Sequence, residues 1–269
     1  MMPLRQVVRR SRRLLAFAIL VLSLEAVTFM VRLDAAITPF VLVFIPAVAA
    51  LTVSALSGGR PAVVSLIRRL VKVRVGLRWY LIAIGIPIVE KLAVDPTGVL
   101  LGMATPDRLV SALTASALVV PVVVVVPALL EELGWRGFAV QAAIEQGHSP
   151  AWAALVVGTL FLALHIPLYL PGQLYAGLPF WPLPISLLAS SVLLTWIYLR
   201  TRSVLITGLM HAAFNATVPL TWALPAEWVW QARAVVLIFI AALAVGRVGI
   251  TWWRSPLPAA EGARHDYAR

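Results

Sequence analysis

The sequence predicts an all-α fold, a polytopic membrane helical bundle of about eight transmembrane helices. Three observations carry this. Of the 269 residues, 61% are hydrophobic and only 12% are charged, with a mean hydropathy of +0.95. That is far from the globular mix of about half apolar and a quarter charged. Apolar runs close to the ~20 residues that cross a bilayer recur along the whole chain. The basic residues, finally, gather beside and between those runs. With no cysteine, disulfides, thiolate ligands and cysteine nucleophiles are excluded.

The spans fall near 14–31, 35–56, 79–95, 109–145, 150–169, 183–200, 203–220 and 232–253. The first follows "RQVVRRSRR" as a secretory signal would, but its apolar run continues past Leu24 to Val31 and further spans follow, so it reads as a signal anchor. Arg5, Arg9, Arg10, Arg12 and Arg13 precede it. Arg60, Arg68, Arg69, Lys72, Arg74 and Arg78 follow the second span, and Arg200 and Arg202 join the sixth to the seventh. Counted by the positive-inside rule, both termini face the cytoplasm. The net charge of +11 therefore suits an anionic membrane surface and not a nucleic acid. "AVVSLIRRLVKVRVGLRWY" mixes Val64, Ile67, Leu70 and Val71 with basic residues, the pattern of a helix lying on the cytoplasmic membrane face. A solvated positive loop is its plainer reading. Trp79, Tyr80, Trp196, Tyr198, Trp252 and Trp253 fall where interfacial aromatics belong. All but Lys72 and Lys91 of the 22 basic residues are arginine, which fits a GC-rich bacterial coding bias and hence a cell membrane. Residues 1–254 form one membrane domain, and the tail 255–269, "SPLPAAEGARHDYAR", is expected to be a disordered cytoplasmic segment.

Polar residues inside spans are costly and tend to mark function. Glu25, Glu90 and Lys91 sit near span ends, where snorkelling or a local Glu90–Lys91 pairing explains them. The fourth span is different, because it carries "ALLEELGWRGF". Glu132 and Arg136 are four apart and share a helix face, while Glu131 points about 100° away and is left free. Phe161 and His165 in "FLALH" share a face of the fifth span, as do His211 and Asn215 in "HAAFN" of the seventh. At ~1.5 Å of rise per residue, Glu131 and His165 lie roughly 20 Å, and His211 roughly 12 Å, from the cytoplasmic ends of their spans. These depths are compatible with one site opening toward the cytoplasm. Pro121 and Pro127 are expected to bend the fourth span just before Glu131.

A carboxylate in a poorly solvated pocket beside an imidazole makes a general base for water, a role that fits Glu131 with His165. Attack on an amide develops negative charge on the carbonyl oxygen, which N–H groups of His211 and Asn215 can receive. Within hydrolysis the rival is a zinc site of Glu131, His165 and His211, although the H-E-x-x-H spacing is missing. Outside it, Glu132 with Arg136 could be a purely structural buried pair, and an intramembrane carboxylate can relay protons in a transporter, although no internal repeat is evident.

"EELGWR", "FLALH" and "HAAFN", in that order and on membrane spans, resemble the E-E-x-x-x-R, F-x-x-x-H and H-x-x-x-N motifs of the CPBP family. That family includes type II CAAX prenyl endopeptidases and bacteriocin-processing, Abi-like relatives. The resemblance runs from about Leu77 to Asn215, within a core of about 77–216. It implies a glutamate-dependent intramembrane endopeptidase in which Glu131 and His165 activate water, His211 and Asn215 line the oxyanion hole, and Glu132, Arg136 and Phe161 support the site. It implies no metal or other cofactor. The expected substrate is a membrane-anchored or hydrophobic peptide or protein. A non-catalytic membrane partner or bacteriocin-immunity protein is the alternative, since proteolysis is not established for every member.

Overall fold

The structure, a computed structural model, describes residues 12–105, 107–108, 111, 124–216 and 224–257. Most of the tail expected at 255–269, together with Pro121 and the first half of the fourth span, lies outside the described residues. Every regular element among those described is helical.

Helix α1 (Arg13–Met30) is followed by the short α2 (Thr38–Leu42) and the long α3 (Ile45–Leu70). Helix α4 (Leu77–Leu100) carries four charges, Arg78 in its first turn and Glu90, Lys91 and Asp95 further along. Helix α5 (Val125–Glu132) passes directly into a π-helical stretch, Leu133–Val140, and then into α6 (Gln141–Glu145). After α7 (Pro150–His165) comes a 3-10 turn, Ile166–Tyr169, and then α8 (Pro182–Thr201), α9 (Val204–Asn215), α10 (Ala226–Val248) and the short α11 (Ile250–Arg254). Five stretches are long and apolar enough to cross a membrane: α1, α2 with α3, α7 with its 3-10 turn, α8 and α10. This is a polytopic helical bundle. Of the remaining expected spans, α4 is long but charged, α9 is short, and the fourth is described only from Val124 onward.

The starts and stops have local causes. Ser149 caps α7 by accepting from the Trp152 N–H at 3.2 Å, with Pro150 in the first helical position, where its missing N–H costs nothing. Ser203 caps α9 in the same way through the Ile206 N–H. Pro127 falls in the first turn of α5 and so removes no helical hydrogen bond. Among the described residues of this span the helix changes register after Glu132, at the π-helical stretch; the bend expected at Pro121 lies outside them.

Glycines let the helices around this stretch approach closely. A side chain on Gly134 would run into the backbone carbonyl of Pro46 at the start of α3, and one on Gly208 of α9 into Leu129 of α5. Helix α8 packs between α7 and α10, and Ser191 donates to the Ala154 carbonyl at 2.8 Å. The core around the π-helical stretch is lined by Phe17, Trp135, Phe138 and Phe161, with Trp135 edge-on to Phe17 at 5.6 Å between ring centres. Outward-facing apolar residues such as Ile19, Leu81, Phe239 and Leu243 are exposed, as lipid-facing side chains of a bundle are. Two aromatics expected at the membrane interface are instead buried. Tyr198 donates to Gln141 at 3.2 Å, and Trp253 packs edge-on to Trp252.

Candidate active site

Glu131 and Glu132 close helix α5, and Arg136 lies one turn into the π-helical stretch. π-helical turns are rare and are frequent at functional sites, because the extra residue re-aims the side chains that follow. Arg136 still reaches back over four residues, and its Nη1 donates to Glu132 Oε1 at 2.8 Å with both side chains fully buried. A buried charge is tolerable only when paired, so this ion pair is the anchor of the site. Trp135, between them in sequence, packs against Phe161 of α7 at 5.6 Å between ring centres and forms part of an apolar floor.

Helix α9 brings His211 onto the two carboxylates. Its Nδ1 lies 2.9 Å from Glu132 Oε1, and its Nε2 lies 3.4 Å from Glu131 Oε2. Glu132 Oε1 therefore accepts from both Arg136 and His211, which fixes the imidazole plane and aims Nε2 at Glu131. Among the sequence expectations, the Glu132–Arg136 pairing is found, but Glu131 is not left free: His211 engages both glutamates.

His165, the last residue of α7, makes its bond inside its own helix. Its Nδ1 lies 2.8 Å from the Phe161 carbonyl oxygen. A carbonyl can only accept, so Nδ1 carries a proton, and in the neutral ring the lone pair is on Nε2. The Phe161 ring is edge-on to both imidazoles, 4.6 Å from His165 and 5.7 Å from His211 between ring centres, and so spaces one from the other. The side-chain contacts of Glu131 are to His211, while the ring nitrogen contact of His165 is to the Phe161 carbonyl. Asn215, the last residue of α9, is half-buried one turn beyond His211. Among the described residues, no three His, Cys, Asp or Glu side chains are grouped as a metal ion would require.

Sequence reasoning missed an aromatic wall beside this site. The Tyr175 ring lies nearly parallel to His165, 6.2 Å away and inclined by 15°, and packs edge-on against Trp230 of α10 at 4.9 Å and Tyr169 at 5.5 Å. Its backbone N–H donates to the Leu168 carbonyl at 2.8 Å, which holds the loop after α7 against the turn. An aromatic in a loop carries no periodic signal, so only the tertiary fold reveals it. A second miss concerns Glu90. Lys91 pairs along its own helix with Asp95 at 2.5 Å, while the buried Glu90 faces Arg233 of α10 at 3.6 Å. The Arg233 guanidinium also lies over the Phe214 ring, 5.7 Å from its centre.

The carboxylates, histidines and Asn215 of the site, with Arg136 and Phe161, fall inside one block of sequence. The family model of the Rce1-like type II CAAX prenyl endopeptidases matches residues 113–217, which include every residue from Glu131 to Asn215 named above. No curated protein matches the chain.

Proposed function

Since residues 113–217 form a domain of the Rce1-like type II CAAX prenyl endopeptidase family, a membrane-protease family, we propose that this chain is a metal-independent intramembrane endopeptidase using Glu131 as its base. The observation that carries the reading is the meeting of Glu131, Glu132 and His211 from two helices, with His165 held across the Phe161 ring.

Glu131 takes a proton from a water molecule, whose oxygen bonds to the peptide carbonyl carbon while the carbonyl oxygen becomes an oxyanion. His165 assists with the lone pair on Nε2, left available because Nδ1–H is bound to the Phe161 carbonyl. With Nδ1–H donated to Glu132, His211 in its doubly protonated form turns its Nε2–H from Glu131 to the oxyanion, and Asn215 supplies a second donor. The tetrahedral centre collapses by breaking the C–N bond, and the proton held by Glu131 passes to the departing amine. Water is consumed, one peptide bond is lost, and no covalent enzyme intermediate forms. Glu132 and Arg136 hold His211 and the helix turn that bears it.

The substrate this suits is an extended segment of a membrane-anchored or hydrophobic protein, because the surrounding walls are apolar and aromatic. The test compares new protein termini in membranes from cells making the wild type or Glu131→Gln at equal abundance. Termini that appear only with the wild type support the proposal and name substrates. Identical termini, with any cellular phenotype kept by Glu131→Gln, overturn it in favour of a non-catalytic membrane partner.

A further inference from the structure

We propose that the basic end of the bundle binds headgroups of anionic phospholipids along a strap formed by residues 60–70 of α3 and the connection to Leu77. This surface lies apart from the carboxylate and histidine site and does not rest on its chemistry.

No Asp or Glu occurs between Asp34 and Glu90, while Arg60, Arg68, Arg69, Lys72, Arg74 and Arg78 all do. Helix α3 is kinked at Gly59, whose backbone (φ 62, ψ −159) is not helical, and Pro61 starts the new course. Beyond the kink the inner face is fixed. Leu66 is buried, and Arg69 donates from Nη1 to the Gly137 carbonyl at 2.6 Å while its Nη2 lies 4.0 Å from Glu145. The outer face is different. Arg60, Arg68 and Arg74 are exposed and form no ion pair among the described residues, and they are interleaved with exposed Val64, Ile67, Val71, Val73 and Leu77.

Other contacts gather further positive charge at the same end. Ser203 donates to the Lys72 carbonyl at 2.7 Å, which ties the strap to the turn between α8 and α9. There Arg202 donates to Gln141 at 2.7 Å, and Arg200 lies over Trp252, 4.8 Å from the ring centre. Glu145, the acid these contacts bring to this end, is shared by Arg13 and Arg69 at 4.0 Å each. Positive charge is therefore in excess.

A soluble anion needs donors converging on one point. Here guanidinium groups are spread along a strap with apolar side chains between them, so that the chain can sink to the acyl boundary while its charges meet phosphates. Each arginine near an anionic surface is worth roughly fivefold in preference, about 1 kcal/mol.

The full chain is placed in vesicles of equal phosphatidylglycerol and phosphatidylcholine, extracted in mild detergent, and its retained lipids are counted by native mass spectrometry. Phosphatidylglycerol is expected to be enriched several-fold. The triple variant Arg60→Gln, Arg68→Gln, Arg74→Gln should fall to the vesicle ratio, while Arg32→Gln with Arg108→Gln, which follow the opposite ends of α1 and α4, should keep the enrichment. Should the glutamine triple not fold, the same three positions as lysine must retain the enrichment, and about 1 M salt must abolish it in the wild type by screening. Enrichment that survives the three glutamines or the salt overturns the proposal. So does displacement of the lipid by millimolar inorganic phosphate, which would mark a site for soluble anions.

Discussion

Glu132 Oε1 accepts from Nδ1 of His211 at 2.9 Å while it accepts from Nη1 of Arg136 at 2.8 Å, so one buried oxygen joins helix α9 to the π-helical stretch. Removing Arg136 leaves a fully buried carboxylate with a neutralising guanidinium gone. Arg136→Leu should lose about 3–5 kcal/mol, the cost of stranding one half of a buried pair. Replacing both residues, Glu132→Leu with Arg136→Leu, should recover much of that stability, because neither half of the pair is then stranded. Activity should not return with it, since His211 loses the partner that aims its ring. Thermal unfolding in detergent, read beside proteolytic activity, separates the two effects.

His211 is held between two carboxylates, and its proposed task is to turn toward the developing oxyanion. His211→Ala should lower turnover by roughly 10²–10³, the usual loss for one oxyanion donor. The chain should still fold, although weakened by the loss of one bond to Glu132. Glu131→Gln is a sharper change, because an amide cannot take a proton from water, and turnover should fall by at least roughly 10²–10⁴. If His211→Ala and Glu131→Gln both left the pattern of new termini unchanged, the catalytic reading of the whole cluster would be lost.

Much of this site is legible in the sequence, and the limit is a physical one. Spacing of four residues reports neighbours on one helix, so Glu132 with Arg136 and Phe161 with His165 can be read directly. The same rule says nothing about partners on other helices. It therefore leaves Glu131 free, whereas the fold sets His211 against it, and it gives Lys91 to Asp95 and leaves Glu90 without a partner, whereas Arg233 arrives from α10. The π-helical stretch is equally silent, since a change of backbone register alters no residue type. The all-helical membrane class, by contrast, follows from composition alone, because in hydrocarbon every backbone group of a helix is satisfied within its own segment.

Glu90 is 2% exposed, and its Oε1 faces Arg233 at 3.6 Å, a separation that makes this pair weaker than that of Glu132 with Arg136. Arg233→Leu removes that neutralising charge and also the cation above the Phe214 ring, and should cost about 3 kcal/mol or more. Adding Glu90→Gln to it should restore a good part of the loss, because an amide needs no counter-ion. A double-mutant cycle in thermal unfolding gives the coupling. Two purely additive losses would show that the pair contributes nothing beyond its separate packing.

Gly134 lies where the π-helical stretch crosses the start of α3, and a methyl group there would collide with the Pro46 carbonyl. Backbone cannot rotate out of the way as a side chain can, so the two helices would have to separate. Gly134→Ala should therefore destabilise the chain by about 1–3 kcal/mol, the usual cost of overpacking. It should also displace Arg136, two residues along the same turn, so turnover per folded molecule should fall as well. Gly85 in α4 is the control, for nothing lies within 4 Å of a methyl group placed there. Gly85→Ala should be neutral or add about 0.4–1 kcal/mol by restricting the unfolded chain. Equal unfolding temperatures for Gly134→Ala and the wild type would mean that the approach of α3 to the π-helical stretch is looser than 134 and 46 indicate.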